Sequence, residues 1–126
     1  MNKLISLFLI HIQNCYDKMF DFNGRSSRSE FWYFQLYVIF VFLLFVIIAD
    51  NFKSAEIIGY FFAFFFILAL LIPMVSTRFR RLHDTNKSGW YLLIGFIPII
   101  GNLIMLVMYC EKSDENKNQY GIKPKA

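Results

Sequence analysis

Charged residues are scarce in this chain, and the three long apolar stretches contain almost none of them. They make up 17% of the 126 residues, whereas 57% are apolar and 16 are Phe. A soluble domain of this length has too little interior to bury so much apolar surface. Uncharged runs of about 20 residues are typical of membrane-spanning helices, so the composition excludes an ordinary soluble domain.

Cysteine is also scarce, and the two present lack the spacing of metal ligands. Cys15 and Cys110 lie far apart in sequence, so we expect free thiols near the membrane surface, with no metal and no cofactor. No small-x-small cleavage pattern follows the apolar stretch 4–10, and we therefore expect the first segment to stay in the mature protein. No compact Lys/Arg patch with interleaved aromatics is present, which argues against a nucleic-acid partner.

The first segment, residues 1–23, is predicted to form an amphipathic N-terminal helix. Its polar face would hold Lys3, Ser6, Gln13, Asn14 and Asp17, and its apolar face Leu4, Ile5, Phe8, Ile12, Tyr16 and Met19. A helix of this kind lies in the membrane interface or packs against its own bundle. The sequence leaves both alternatives open.

Three apolar segments predict an all-α integral membrane protein with three transmembrane helical segments. We expect a membrane domain over residues 24–110, with spans at 31–49, 57–76 and 90–110, followed by a polar tail over 111–126. A 19-residue helix reaches roughly 28 Å, close to the hydrocarbon thickness of a bilayer. Aromatic side chains expected to act as interfacial anchors open the first and third segments: Trp32, Tyr33, Trp90 and Tyr91.

The third segment is interrupted by Pro98, Gly101 and Asn102, and this break leaves its path open. Basic residues before the first span and in the polar loop 77–89 place the N-terminus and that loop in the cytoplasm. A kinked span, which we expect, would put the tail outside despite its four lysines. The alternative is a re-entrant hairpin, which would return the tail to the cytoplasm but needs protein or water around its turn.

Two polar motifs, residues 24–32 and 80–90, lead into apolar segments and are expected at the same cytoplasmic surface. The candidate residues of this surface are Arg25, Arg28, Glu30, Arg80, Arg81, His83, Asp84 and Lys87. Guanidinium groups bind phosphate bidentately, so the motifs predict a site for an anionic lipid head group or for a partner protein. A plainer interpretation is interfacial anchoring, in which the arginines set orientation and pair with Glu30 or Asp84.

A catalytic interpretation would use His83 as acid or base, oriented by Asp84 or Glu30. Adjacent residues on a helix point in different directions, and no Ser or Cys nucleophile is marked out beside them. We therefore expect a non-enzymatic protein that binds membrane lipids, a membrane protein partner or copies of itself. The alternatives are a small membrane enzyme acting on lipid head groups, or a subunit of an oligomeric transporter or channel whose path is lined by the break at 98–102.

The motifs carry a family resemblance. The Gly-Arg-x-Ser-Arg-x-Glu-Phe-Trp pattern at 24–32, Arg-Arg-Leu-His-Asp at 80–84, Ser-Gly-Trp at 88–90 and Asn-x-Tyr-Gly at 118–121 resemble the YhaH/YhaI-like bacterial inner-membrane family, domain of unknown function 805. The resemblance covers roughly residues 16–121. It implies a small multi-pass protein of the inner (plasma) membrane with no established activity, in which the two polar motifs form one functional surface.

Overall fold

The described part of the chain, residues 2–51 and 56–124 of a computed structural model, is helical and contains no β-strand. Its elements are α1 (Asn2–Asp17), α2 (Arg28–Asn51), α3 (Glu56–Asp84), a 3-10 helix (Gly89–Phe96) and α4 (Ile100–Cys110). The all-α prediction is confirmed for these residues. The connection expected between the first two spans, residues 50–56, lies mostly outside them.

Helices α2 and α3 contain the stretches that are long and apolar enough to cross a membrane, Arg28–Ile48 and Gly59–Asp84. A side-chain cap begins α2, because the Ser27 hydroxyl accepts a hydrogen bond from the Glu30 amide at 3.2 Å. Most of the predicted polar loop 77–89 is helical instead, since α3 continues through its basic residues to Asp84. The arginines of the second motif therefore lie on a rigid helix.

The third apolar segment folds back on itself after the 3-10 helix. Lys87 and Glu111 form an ion pair, and the Asp114 amide donates to the Asp84 carbonyl at 3.0 Å. A continuous helix would hold Lys87 and Glu111 about 36 Å apart. The single kinked span expected from the sequence does not describe this geometry, whereas the hairpin alternative does.

A tight turn at residues 97–99 joins the two halves of this hairpin. The Ile100 amide donates to the Pro98 carbonyl at 2.7 Å across Ile99, whose φ of 63° and ψ of −66° define a γ-turn that is rare for a β-branched residue. A Cβ on Gly101 would lie 1.9 Å from the Ile94 carbonyl oxygen. Glycine at this position therefore lets α4 approach the backbone of the 3-10 helix.

Helix α1 packs against α2 through its C-terminal half and leaves its N-terminal half uncovered. The rings of Phe8 and His11 contact Tyr33, and the Cys15 side chain is completely buried. The apolar side chains that remain exposed are Leu4, Ile5, Leu7, Leu9 and Ile10. The C-terminal half of the predicted amphipathic helix thus packs against the bundle. Its N-terminal half still exposes an apolar face.

Candidate functional site

The last turns of α3 place a buried carboxylate between two buried guanidinium groups. Arg25 Nε donates to Asp84 Oδ1 at 3.0 Å, and Arg81 Nη1 donates to Asp84 Oδ2. Arg81 and Asp84 lie three residues apart on one face of α3, whereas Arg25 comes from the loop before α2. All three residues are buried, so water does not screen these ion pairs.

A second buried ion pair joins α2 to α3 beside the first. Arg80 Nη1 donates to Glu30 Oε1 at 2.8 Å, and Arg80 Nη2 donates to Thr77 Oγ1 at 3.3 Å. The Cys15 thiol of α1 also donates to Glu30 Oε1, at 3.7 Å. We call Arg25, Glu30, Arg80, Arg81 and Asp84 the arginine cluster, and the end of the bundle that contains it the polar end.

Backbone carbonyls accept the remaining hydrogen bonds of Arg25 and Arg81. Arg81 Nε donates to the Tyr109 carbonyl at 3.0 Å, and its Nη2 donates to the Glu111 carbonyl. These carbonyls end α4, where unpaired acceptors and the helix dipole favour a cation. Arg25 donates to tail carbonyls of Asp114, Asn116 and Gly121 at 2.6, 2.9 and 3.1 Å. The cluster thereby fastens both α4 and the tail to the polar end.

His83 lies beside the arginine cluster without joining its ion pairs. Its ring stacks on Tyr120, with centroids 3.7 Å apart and planes within 1°, and its carbonyl accepts a hydrogen bond from Asn118 at 2.9 Å. In the described residues, His83 Nδ1 has no hydrogen-bond partner. No carboxylate of the described part of the chain orients this imidazole, as the catalytic alternative would require.

The structure brings the two predicted motifs together, but it turns most of their side chains inward. Six of the eight candidate residues are buried: Arg25, Glu30, Arg80, Arg81, His83 and Asp84. Arg28 is exposed, and Lys87 is half-buried beside Glu111. Of the predicted anchors, Trp32 and Tyr33 are half-buried, whereas Trp90 and Tyr91 are exposed. The motifs therefore meet mainly as an interior cluster.

Several residues of this site were not singled out from the sequence. The tail segment 114–121 supplies carbonyls and the Tyr120 ring, and its only signal was the Asn-x-Tyr-Gly pattern. Arg78 was counted only as a loop charge, yet it lines a groove of about 360 Å³ between α2 and the folded-back segment. The position of Arg78, one helical turn before Arg81, could have identified it from the sequence. No three His, Cys, Asp or Glu side chains in the described ranges are grouped to hold a metal.

Comparisons with known proteins agree on one group of relatives. The family described as "Protein of unknown function (DUF805)" matches residues 19–122. The inner membrane protein YhaI of Escherichia coli K12 is 35% identical over 82% of this chain and 86% of its own length, and YhaH of the same strain is 38% identical over 82% and 87%. The uncharacterized protein YiiR is 27% identical over 70% of this chain and 60% of its own. No solved structure matches.

Proposed function

The chain belongs to the DUF805 family, and from this premise we propose that it is a multi-pass bacterial inner-membrane protein that binds anionic lipid at its cytoplasmic end without catalysing a reaction. Its relatives YhaI and YhaH are named as inner membrane proteins, which supports the location.

The proposed topology has two complete crossings, α2 and α3, and a re-entrant hairpin made of the 3-10 helix and α4. The ion pair between Lys87 and Glu111 supports it, because both ends of the hairpin then lie at one membrane face. The N-terminus, the second polar motif and the tail all become cytoplasmic, so the positive-inside rule is satisfied by every basic segment. The turn at 97–99 would lie at membrane depth, covered in part by α2 and α3.

The observation that carries the lipid proposal is the excess of exposed positive charge at the polar end. Among the described residues 17–124, five basic side chains are exposed, Lys18, Arg28, Lys112, Lys117 and Lys123, against three exposed acidic ones, Asp17, Asp21 and Glu115. Lys112 pairs with Glu115, so we call the other four basic residues the rim: Lys18, Arg28, Lys117 and Lys123. Basic residues next to membrane spans attract the acidic lipids of the cytoplasmic leaflet, by about 1 kcal/mol each near the surface.

The buried arginines are poor candidates for the same task. Arg25, Arg80 and Arg81 already donate to carboxylates and carbonyls, and a phosphate could reach them only by displacing those partners. The free-energy cost of removing one partner from a buried ion pair exceeds the free energy gained from an exposed contact with a lipid. We therefore assign head-group binding to the rim and a structural role to the arginine cluster.

The test is the lipid composition around the protein when it is extracted with its native bilayer in polymer-bounded nanodiscs. The wild type should carry more acidic phospholipid than the bulk membrane, and Arg28→Gln/Lys117→Gln/Lys123→Gln should lose most of that excess. The control is Lys112→Gln, because Lys112 already pairs with Glu115. A wild-type lipid composition equal to the bulk membrane would reject lipid binding by the rim.

A further inference from the structure

A groove opens between α2 and the folded-back segment, on the side of the bundle away from α1. Its volume of about 360 Å³ lies at the small end of the range for ligand pockets. Aromatic and aliphatic side chains line most of it, including Trp32 of α2, Phe96 of the 3-10 helix and Leu106 of α4. The part of the groove that these side chains line suits a hydrocarbon chain.

One cation lines this groove, and the described part of the chain gives it no counter-ion. Arg78 forms no ion pair within the described residues, and its Nε is buried without a hydrogen-bond partner. No Asp or Glu is among the lining residues. Because an unpaired charge next to apolar surface is unfavourable, an anion from outside the chain would stabilise this guanidinium.

Two uncharged polar side chains share the groove with Arg78. Gln35 of α2 and Asn102 of α4 both line it, although both belong to otherwise apolar segments. Polar side chains at such depth usually face protein or a ligand. Their amides can donate to ester carbonyls, which lie between the phosphate and the acyl chains of a phospholipid.

We propose that the groove binds one acidic phospholipid of the surrounding membrane, with its phosphate at Arg78 and one acyl chain between α2 and α4. Charge complementarity selects the anion, and the apolar lining selects a hydrocarbon chain. The site shares its ligand chemistry with the rim but uses none of the rim residues. Binding at the groove should also resist salt, since the Arg78 Nε is shielded from water.

The chain supplies its own reporters for this proposal, because it contains two Trp residues. Trp32 lines the groove, and Trp90 is 78% exposed and does not line it. Two full-length single-Trp proteins, Trp90→Phe and Trp32→Phe, are reconstituted in phosphatidylcholine vesicles that contain a minor fraction of lipid with brominated acyl chains.

 The brominated lipid is either phosphatidylglycerol or phosphatidylcholine, so the two samples differ only in head group.

Trp32 fluorescence should be quenched several-fold more strongly by brominated phosphatidylglycerol than by brominated phosphatidylcholine, and the preference should persist in high salt. Trp90 should show the same quenching with both lipids. Arg78→Gln should remove the preference at Trp32, whereas the rim variant Arg28→Gln should keep it.

A second variant blocks the groove without touching its charge. A Cβ on Gly95 would lie 3.9 Å from Met105 Cγ, an ordinary contact, so Gly95→Leu adds a side chain to the groove without a backbone clash. It should lower quenching of Trp32 by phosphatidylglycerol and leave Trp90 unchanged. An unchanged Trp90 signal in both variants reports that the fold is intact.

Equal quenching of Trp32 by the two lipids, or a preference that survives Arg78→Gln, would overturn the proposal. Stronger quenching by a brominated fatty acid than by phosphatidylglycerol would overturn its choice of a phospholipid. The rim proposal fails separately, if acidic lipid around the protein does not exceed the bulk membrane while Trp32 keeps its preference.

Discussion

The polar end and the opposite half of the helix pair bury their side chains in contrasting ways. Between residues 35 and 48 of α2, and between 59 and 69 of α3, no described residue is buried. Residues 76–84 of α3 include seven buried ones, among them Arg80, Arg81 and Asp84. The most polar part of the chain is therefore its best-packed part.

This difference follows from the solvent on each side. Lipid tails are as apolar as the Phe and Leu side chains that face them, so contact between two apolar helices gains little hydrophobic free energy. Ion pairs and hydrogen bonds among buried groups can then decide which segments stay together. At the polar end they connect the loop before α2, α3, the end of α4 and the tail.

The largest effect of disturbing the polar end is expected at Asp84. Asp84→Ala would leave Arg25 and Arg81 buried without their shared carboxylate, at a cost of about 3–5 kcal/mol in the free energy of unfolding. Unfolding in mixed detergent micelles, followed by circular dichroism, measures the loss. The matched control is Glu115→Ala, which removes an exposed carboxylate paired with Lys112 and should leave stability unchanged. Equal stability of the two variants would contradict a structural role for the cluster.

The two cysteines provide a buried thiol and an exposed thiol in the same chain, and their reactivities can be compared. Burial, with the nearby Glu30 charge, raises the pKa of Cys15 to about 11, whereas Cys110 is exposed. Below this pKa the thiolate fraction of Cys15 rises about tenfold per pH unit, and at pH 8 it is roughly a thousandth. A water-soluble maleimide should therefore label Cys110 about a hundredfold faster than Cys15 until the protein is unfolded.

The same labelling reports on which side of the membrane the tail lies. In inverted membrane vesicles Cys110 should react, and in intact cells it should not, because the proposed re-entrant topology places the end of α4 at the cytoplasmic face. Cys110→Ser and Cys15→Ser proteins assign each signal to one thiol. Labelling of Cys110 only from outside would contradict the proposed re-entrant topology.

The folded-back segment depends on close backbone contact at Gly101. Gly101→Ala would place a methyl group against the Ile94 carbonyl and force the hairpin apart, costing about 1–3 kcal/mol. Gly59→Ala is the control, since a Cβ there meets nothing within 4 Å. Thermal unfolding of the two variants measures the difference. A Gly101→Ala protein as stable as Gly59→Ala would show that the two halves do not approach this closely.

The smallest expected effect lies where the tail covers His83. Tyr120→Ala removes the stacked ring and should weaken tail docking by about 0.5–1.5 kcal/mol, so trypsin should cleave after Lys117 about two- to tenfold faster. Tyr120→Phe keeps the ring and should be cleaved at the wild-type rate. Cleavage of Tyr120→Ala at the wild-type rate would show that the stacked ring does not hold the tail in place.

The sequence predicted those features that depend on neighbouring residues. The apolar segments and the meeting of the two motifs at one end follow from composition and charge, and the described residues agree with both. The extension of α3 through Arg80 and Arg81 was missed, because charged residues were assigned to a loop. Helix propensity does not exclude Arg, and the buried partners of these residues stabilise that last turn.

By itself, the sequence determined that this is a helical membrane protein with its arginines gathered at one end. Only the tertiary structure decided that most of them face inward, that the third segment folds back, and that Arg78 forms no ion pair with the described residues. The physical reason is the range of the interactions. Hydrophobicity is a property of a continuous segment, whereas Arg25 meets Asp84 across 59 positions and Gly121 across 96, and spacing along the chain does not encode such pairs.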